Sequence, residues 1–392
     1  MLKPLTLSLA TVLVLLPIAY FLGNGGQASF FPSYLIGVFT LGLILFGKLN
    51  ELVKATPITS SLVGAVLAYF CMDIFFLGGG TNDTLLYFGY ALLIATFVYG
   101  LAHTAKSISY FEYTFFAALV AAAAVSSCFS IFLFYSLDYQ PLPEHRLYAI
   151  GGLNNPVVSA ISYGTALTIC LTFLSESRER SLSLLTSLAS LILIAAIILS
   201  GTRSVWPGLF TAVLILIVLI PKTRHTTIKL VTVSLSFVLL VGAALYLSSY
   251  SEVILKRSTS FRPEIWAATL SQWRANGIFL GAGIHSTINL VLPPHTFMHP
   301  HSVYLSTLYY GGVVGLLLFS TLISRLIWVL AYKADPIVRN YAISLLGFGL
   351  VTLIFDGNRI IEKVDYLWLC FWLPVSLTLL AELKFKAEPD SQ

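Results

Sequence analysis

The stretch Val303-Tyr-Leu-Ser-Thr-Leu-Tyr-Tyr-Gly-Gly-Val-Val-Gly-Leu-Leu-Leu-Phe-Ser-Thr-Leu-Ile-Ser324 carries no charged side chain. About 20 apolar residues, rising about 1.5 Å each, cross a hydrocarbon core of about 30 Å. The stretch therefore reads as a membrane-spanning helix, and the chain on either side of it is of the same kind. Of 392 residues, 57% are hydrophobic and 10% charged, with mean hydropathy +0.88; a soluble domain carries about 25% charged residues. So few polar groups cannot cover so apolar a core, and lipid must be the solvent for most of the surface.

The same rule places helices near 5–22, 30–47, 58–78, 85–103, 113–135, 157–174, 182–200, 204–220, 228–249, 303–330, 338–355 and 366–383. The expectation is an all-α integral membrane protein, one polytopic domain over 1–392 with about twelve transmembrane helices. The pair 182–200 and 204–220 also reads as one broken span. The apolar start resembles a signal peptide, but it is as long as a span and a poor cleavage site follows, so it is kept as the first helix. Lysine and arginine concentrate on one set of connections, fourteen against eight. By the positive-inside rule that side is cytoplasmic, as are both termini. The scattered basic residues give no reason to expect a nucleic-acid partner. Cys71, Cys128, Cys170 and Cys370 fall inside apolar runs and read as small packing residues.

Immediately before Val303 stands His299-Pro-His301, closing a long outer loop, 250–302. Within it Pro263 suits a first helical position, Ile265, Trp266, Leu270 and Trp273 recur at helical spacing, and Asn276-Gly277 is a stop. Arg262 then sits at a helix N-terminus, where free N–H groups and the dipole favour anions. A surface ion pair with Glu264 or Glu252 is the other reading. Arg203, in the turn between the seventh and eighth segments, is either a phosphate ligand or an arginine snorkelling to headgroups. His295, His299 and His301 raise the possibility of zinc, but no Asp or Glu lies nearby in sequence. With Pro300 holding 299–301 extended and His301 entering a helix, the two imidazoles should part, His301 facing the site. A neutral imidazole accepts a proton at physiological pH; a packed or capping histidine is the alternative. Asp356, in Asp356-Gly-Asn-Arg359, either orients an imidazole or arginine or pairs locally with Arg359. Arg146 in the smaller outer loop, and His299, are further candidate substrate contacts. Phe115, Phe116 and Tyr163 are expected to line a lateral cleft for a lipid tail.

The run Leu199-Ser-Gly-Thr-Arg-Ser204, then Arg262 with Trp266, Leu280-Gly-Ala-Gly283, His299-Pro-His-Ser-Val-Tyr-Leu305 and Tyr310-Gly-Gly-Val-Val-Gly-Leu316, resembles the O-antigen ligase family of bacterial envelope enzymes. The resemblance covers roughly residues 145–365. It implies a fold similar to GT-C-type glycosyltransferases, with a large periplasmic loop between the ninth and tenth helices, in the bacterial inner membrane. It implies transfer of glycan from undecaprenyl diphosphate to a sugar hydroxyl of lipid A–core at the periplasmic face, inverting and needing no metal or nucleotide cofactor. Arg203 and Arg262 fall on the family's essential arginines, and His301 on its essential histidine, the expected general base. Asp356 falls near a functionally important acidic position. After the histidine, Ser302 stands where the family commonly has Asn, which puts an amide contact to the sugar in doubt.

Two other activities stay open on the sequence. The wider family contains O-antigen polymerases, which use the same donor and differ in acceptor. A lipid-linked glycan transporter would usually place ionisable groups at mid-membrane. Here Asp73 is the clear carboxylate within a span, toward its outer end, and the site charges gather on one face.

Overall fold

The computed structural model describes residues 2–23, 26–137, 146–176, 179–219, 261–292 and 295–387. Nine helices come first: α1 (Leu2–Leu22), α2 (Gly26–Leu45), α3 (Lys48–Ala55), α4 (Pro57–Phe76), α5 (Thr81–Ser107), α6 (Phe111–Leu137), α7 (Pro156–Glu176), α8 (Arg180–Ser200) and α9 (Val205–Leu219). Then follow α10 (Arg262–Asn276), a hairpin of β1 (Leu290–Leu292) and β2 (His295–Phe297), α11 (Val303–Tyr332) and α12 (Pro336–Thr352). A π-helical turn (Trp368–Trp372) leads into α13 (Leu373–Ala387). Among the described residues, eight helices are long and apolar enough to span a bilayer, or nine if the bent pair Phe30–Leu45 and Lys48–Ala55 forms one span. The protein is a multi-pass, almost wholly helical membrane protein.

Eleven of the twelve expected segments coincide with helices; the twelfth, 228–249, lies outside the described residues, as do 250–260 of the long loop. Segments 182–200 and 204–220 are separate helices, because Gly201 ends α8 in a left-handed cap. The loop helix runs Arg262–Asn276, with Pro263 in its first turn and Gly277 at its C-cap, as its punctuation predicts. The two-stranded hairpin, pairing Leu290 with Phe297 and Leu292 with His295, was not anticipated. Its short strands carry no alternation long enough to register.

Exposed Phe76, Leu184, Phe210 and Val218 form part of the lipid-facing surface. Inside the bundle, Thr165, Thr168 and Thr172 of α7 donate to carbonyls four residues back. That satisfies buried hydroxyls without a partner helix. Phe115, Phe116 and Tyr163 belong to this core and do not line an open cleft: all three are buried, Phe116 stacks on Tyr341, and Tyr163 meets Ser126. Cys71, Cys170 and Cys370 are buried; Cys128 is exposed.

The lysine-rich end of the bundle is fastened by charge. Buried Glu382 takes Arg325 at 2.9 Å and Thr59 at 2.8 Å, with Lys386 at 3.5 Å, while Lys384 reaches Glu112. Breaking such a pair leaves a cation without its counter-ion in a dry setting. Glu382→Gln is expected to lower stability by about 3 kcal/mol, measured as thermal unfolding in detergent. Adding Arg325→Met should restore most of the loss.

Candidate active site

Five separated segments meet at the other end of the bundle. The first is the turn 201–204 between α8 and α9. Leu147 N–H donates to Leu199 O, Thr202 Oγ1 donates to Pro156 O, and Arg146 donates from Nε to Ser200 O (2.7 Å) and from Nη2 to Thr202 Oγ1 (2.8 Å). Two donors of Arg146, expected to contact substrate, are therefore directed onto this turn, and they help hold in place the loop that presents Arg203. Arg203 itself is exposed.

The second segment is the start of α10. Phe261 precedes it at φ 57°, and Arg262 donates from Nε to Phe355 O at 3.1 Å. Trp266 lies over the Phe355 ring. Arg262 has no ion pair with Glu264 among the described residues; Glu252 lies outside them. Burial lowers the Arg262 pKa from its ordinary value, Asp356 opposes that, and the charge of Arg203 adds to it. The two arginines are thus electrostatic neighbours near one carboxylate, and guanidinium stays protonated regardless.

The third segment, His299-Pro-His301, departs from expectation. The imidazoles do not part: their ring centroids are 3.9 Å apart. The reason is His301's φ of +52°, a left-handed conformation that turns the chain before Ser302 caps α11. A non-glycine residue there costs about 1–2 kcal/mol, so surrounding contacts must hold it. Pro300 is buried, and the N–H of Val303 reaches Leu353 O and Asp356 O. Burial pushes the His301 pKa down to about 4, with His299 lowering it further, Asp356 raising it and Arg262 lowering it. His299 is also lowered, chiefly by burial.

The fourth segment is the turn after α12. Asp356 is 5% exposed, and its Oδ1 accepts from Gly357 N (2.7 Å) and Tyr366 OH (3.3 Å). Burial, then Asp356, raises the Tyr366 pKa, so the phenol keeps the proton it donates. Gly357 is required: at φ 119° a Cβ would lie 2.1 Å from Val303 Cγ2. Asp356 does not pair with Arg359, which donates instead to Ile284 O and Ser286 O, both at 2.7 Å, and lies over the Tyr310 ring.

The fifth segment, 278–283, docks into a break in α11. Gly312 sits at φ 61°, ψ −164°, interrupting the helix. The groups that break frees are taken by the loop: Ala282 and Gly283 N–H donate to Tyr309 and Tyr310 carbonyls, and Val313 and Val314 N–H donate to Ile278 and Phe279 carbonyls. A Cβ on Gly312 would lie 2.2 Å from Phe279 O. The Leu280-Gly-Ala-Gly and Tyr310-Gly-Gly motifs are therefore two halves of one joint, which seats the long loop on the bundle.

A cavity of about 500 Å3 opens among these pieces, lined by His299, His301, Asp356 and the loop Gly151–Asn155. Its wall also includes Glu362 and Asp365, whose pKa values burial raises. Neither was singled out from the sequence. The available signal was three acids between 356 and 365 in a chain with only 17 in all. Arg203 and Arg262 do not line this cavity. Arg262 is tied to it by charge, being acted on by Asp356 and itself acting on His301, and Arg203 acts in turn on Arg262. His295 faces the Phe261 ring, and among the described residues no three His, Cys, Asp or Glu side chains converge as metal ligands.

Residues 188–320 match the family model described as O-Antigen ligase, a segment holding the Arg203 turn, α10, the hairpin and His301. Over 266 residues the chain is 33% identical to a Pseudomonas aeruginosa protein named O-antigen ligase, covering 66% of this chain and 62% of that relative. Over these residues the chain is similar to O-antigen ligases. The alignment spans less than two thirds of the relative's own length. The loop carrying Asp356, Glu362 and Asp365 lies beyond the residues matched by the family model.

Proposed function

We propose that the protein is an O-antigen ligase of the bacterial inner membrane, with both termini cytoplasmic. In this reading residues 250–302 form a periplasmic part of the active site within a GT-C-type architecture. It would transfer glycan from undecaprenyl diphosphate to a hydroxyl of lipid A–core. The observation that carries this reading is the meeting of Asp356 and the His299–His301 pair on one cavity, with the charge of Arg262 acting on His301 and that of Arg203 on Arg262.

In the proposed step the bond from the anomeric carbon to a diphosphate oxygen breaks, and the leaving group departs with the electron pair. The acceptor oxygen bonds to that carbon from the opposite face, inverting it, and its proton passes to His301. Arg203 and Arg262 would meet the negative charge growing on the diphosphate. Fixed charges in a dehydrated site commonly supply several kcal/mol in this way. His301 is a weak base before the donor arrives, because burial and nearby positive charge disfavour imidazolium. A diphosphate against Arg262 would offset that positive charge and strengthen the base as substrate binds. Asp356, close enough to favour charge on both His301 and Arg262, would steady the imidazolium formed.

Deleting the gene and resolving the cell's lipopolysaccharide on a gel tests the acceptor. The expected result is loss of all capped core. Retention of core bearing a single repeat would assign the polymerase reaction instead.

A further inference from the structure

At the end of the bundle opposite His301, a second cavity of about 500 Å3 opens between α1, α3 and α5. Three lysines from three separate elements, Lys3, Lys48 and Lys106, converge on it. Its carboxylate, Glu51, is engaged by Lys48 at 3.4 Å. Lys3 and Lys106 have no acidic partner among the described residues, so the lining keeps two of its three positive charges uncompensated (three Lys less one Glu). Beside Thr6, His103 and Ser107, the rest of the wall is apolar: Leu7, Leu43, Leu52 and Ile108.

The position of α3 gives this arrangement a depth. It turns by 85° from the preceding apolar helix, buries Leu49 and Leu52 and keeps its charges outward. A short amphipathic helix of that kind lies along a membrane surface with its apolar side toward the acyl chains. That placement would set the ammonium groups at headgroup level and Leu7, the exposed leucine of the wall, toward the first acyl carbons. A soluble anion would use the lysines and leave the leucine wall without a purpose. A zwitterionic lipid would bring its own ammonium against three others.

We infer that this cavity binds an anionic phospholipid from the leaflet at the lysine-rich face, its phosphate on Lys3, Lys48 and Lys106 and its upper acyl chain on the leucines. Basic pockets between spans recognise such headgroups by charge. The site is separate from the transfer chemistry and stands whether or not that reading holds.

The test is native mass spectrometry of the full-length protein in nonionic detergent, titrated with phosphatidylglycerol or phosphatidylcholine. One phosphatidylglycerol should bind at least tenfold tighter than phosphatidylcholine. The triple variant Lys3→Gln/Lys48→Gln/Lys106→Gln should weaken it by about a hundredfold, with unchanged thermal unfolding. Lys54→Gln removes the same charge from α3 outside the cavity and should change nothing. Leu7→Trp, at a 59% exposed position, fills the cavity without touching a charge and should also block binding. Equal affinity for both lipids, an equal loss in Lys54→Gln, or undiminished binding in the triple or Leu7→Trp variant would overturn the site. Displacement of the lipid by millimolar inorganic phosphate would overturn it in favour of a soluble anion.

Discussion

Replacing His301 by alanine is expected to reduce glycan transfer about a thousandfold, within the range for loss of a general base, while donor binding stays within a few-fold of normal. The imidazole lines a cavity with Asp356 and His299, and the proposed mechanism gives the acceptor proton to His301, leaving His299 as its neighbour. The pH profile separates this role from a structural one. A histidine whose pKa is lowered to about 4 remains in its neutral, proton-accepting form down to that pH. The acid limb of kcat/KM should therefore lie near pH 4, well below the ordinary imidazole value of about 6.5. His299 depresses His301, so His299→Ala should raise the His301 pKa and move the acid limb upward, with a much smaller loss of rate. A His301→Ala enzyme with near-normal turnover, or an acid limb that ignores His299, would remove the base from His301.

Arg262→Ala is expected to cost about a hundredfold to a thousandfold in kcat, the usual scale for removing one fixed donor from a developing anion. Position and charge both contribute. The Nε bond to Phe355 O fixes the guanidinium against the turn that carries Asp356, and the helix N-terminus adds its dipole. Arg262→Lys keeps the charge but loses the planar fork and the Phe355 contact, so it should recover only part of the rate, about tenfold above the alanine variant. Single-turnover assays with purified protein and lipid-linked donor measure this directly. Near-normal transfer by Arg262→Ala would exclude it from the leaving-group role.

Much of this architecture was legible in local residue patterns. Long uncharged runs such as 303–324 announce helices because a hydrocarbon solvent tolerates little else. The loop helix was readable to its last residue because Pro263 is a local start and Gly277 a local stop, each with a local cause. Arg203, Arg262, His301 and Asp356 stood out because charge and imidazole are scarce in so apolar a chain. Glu362 and Asp365 were passed over: a carboxylate's neighbours, not its place in sequence, make it part of a wall.

What composition and periodicity determined by themselves is the class of protein, the place of most helices and the residue types able to handle an anion and a proton. The fold alone decided how those residues meet. A single left-handed φ at His301 brought two imidazoles together where an extended strand and helix entrance would have parted them. Arg146 became a brace for the Arg203 turn, and two glycine motifs thirty residues apart became one joint, because both depend on backbone groups supplied from elsewhere. Local propensity can report a helix or a turn. It carries no information about which distant carbonyl will take a freed donor, and that pairing sets the geometry of the site.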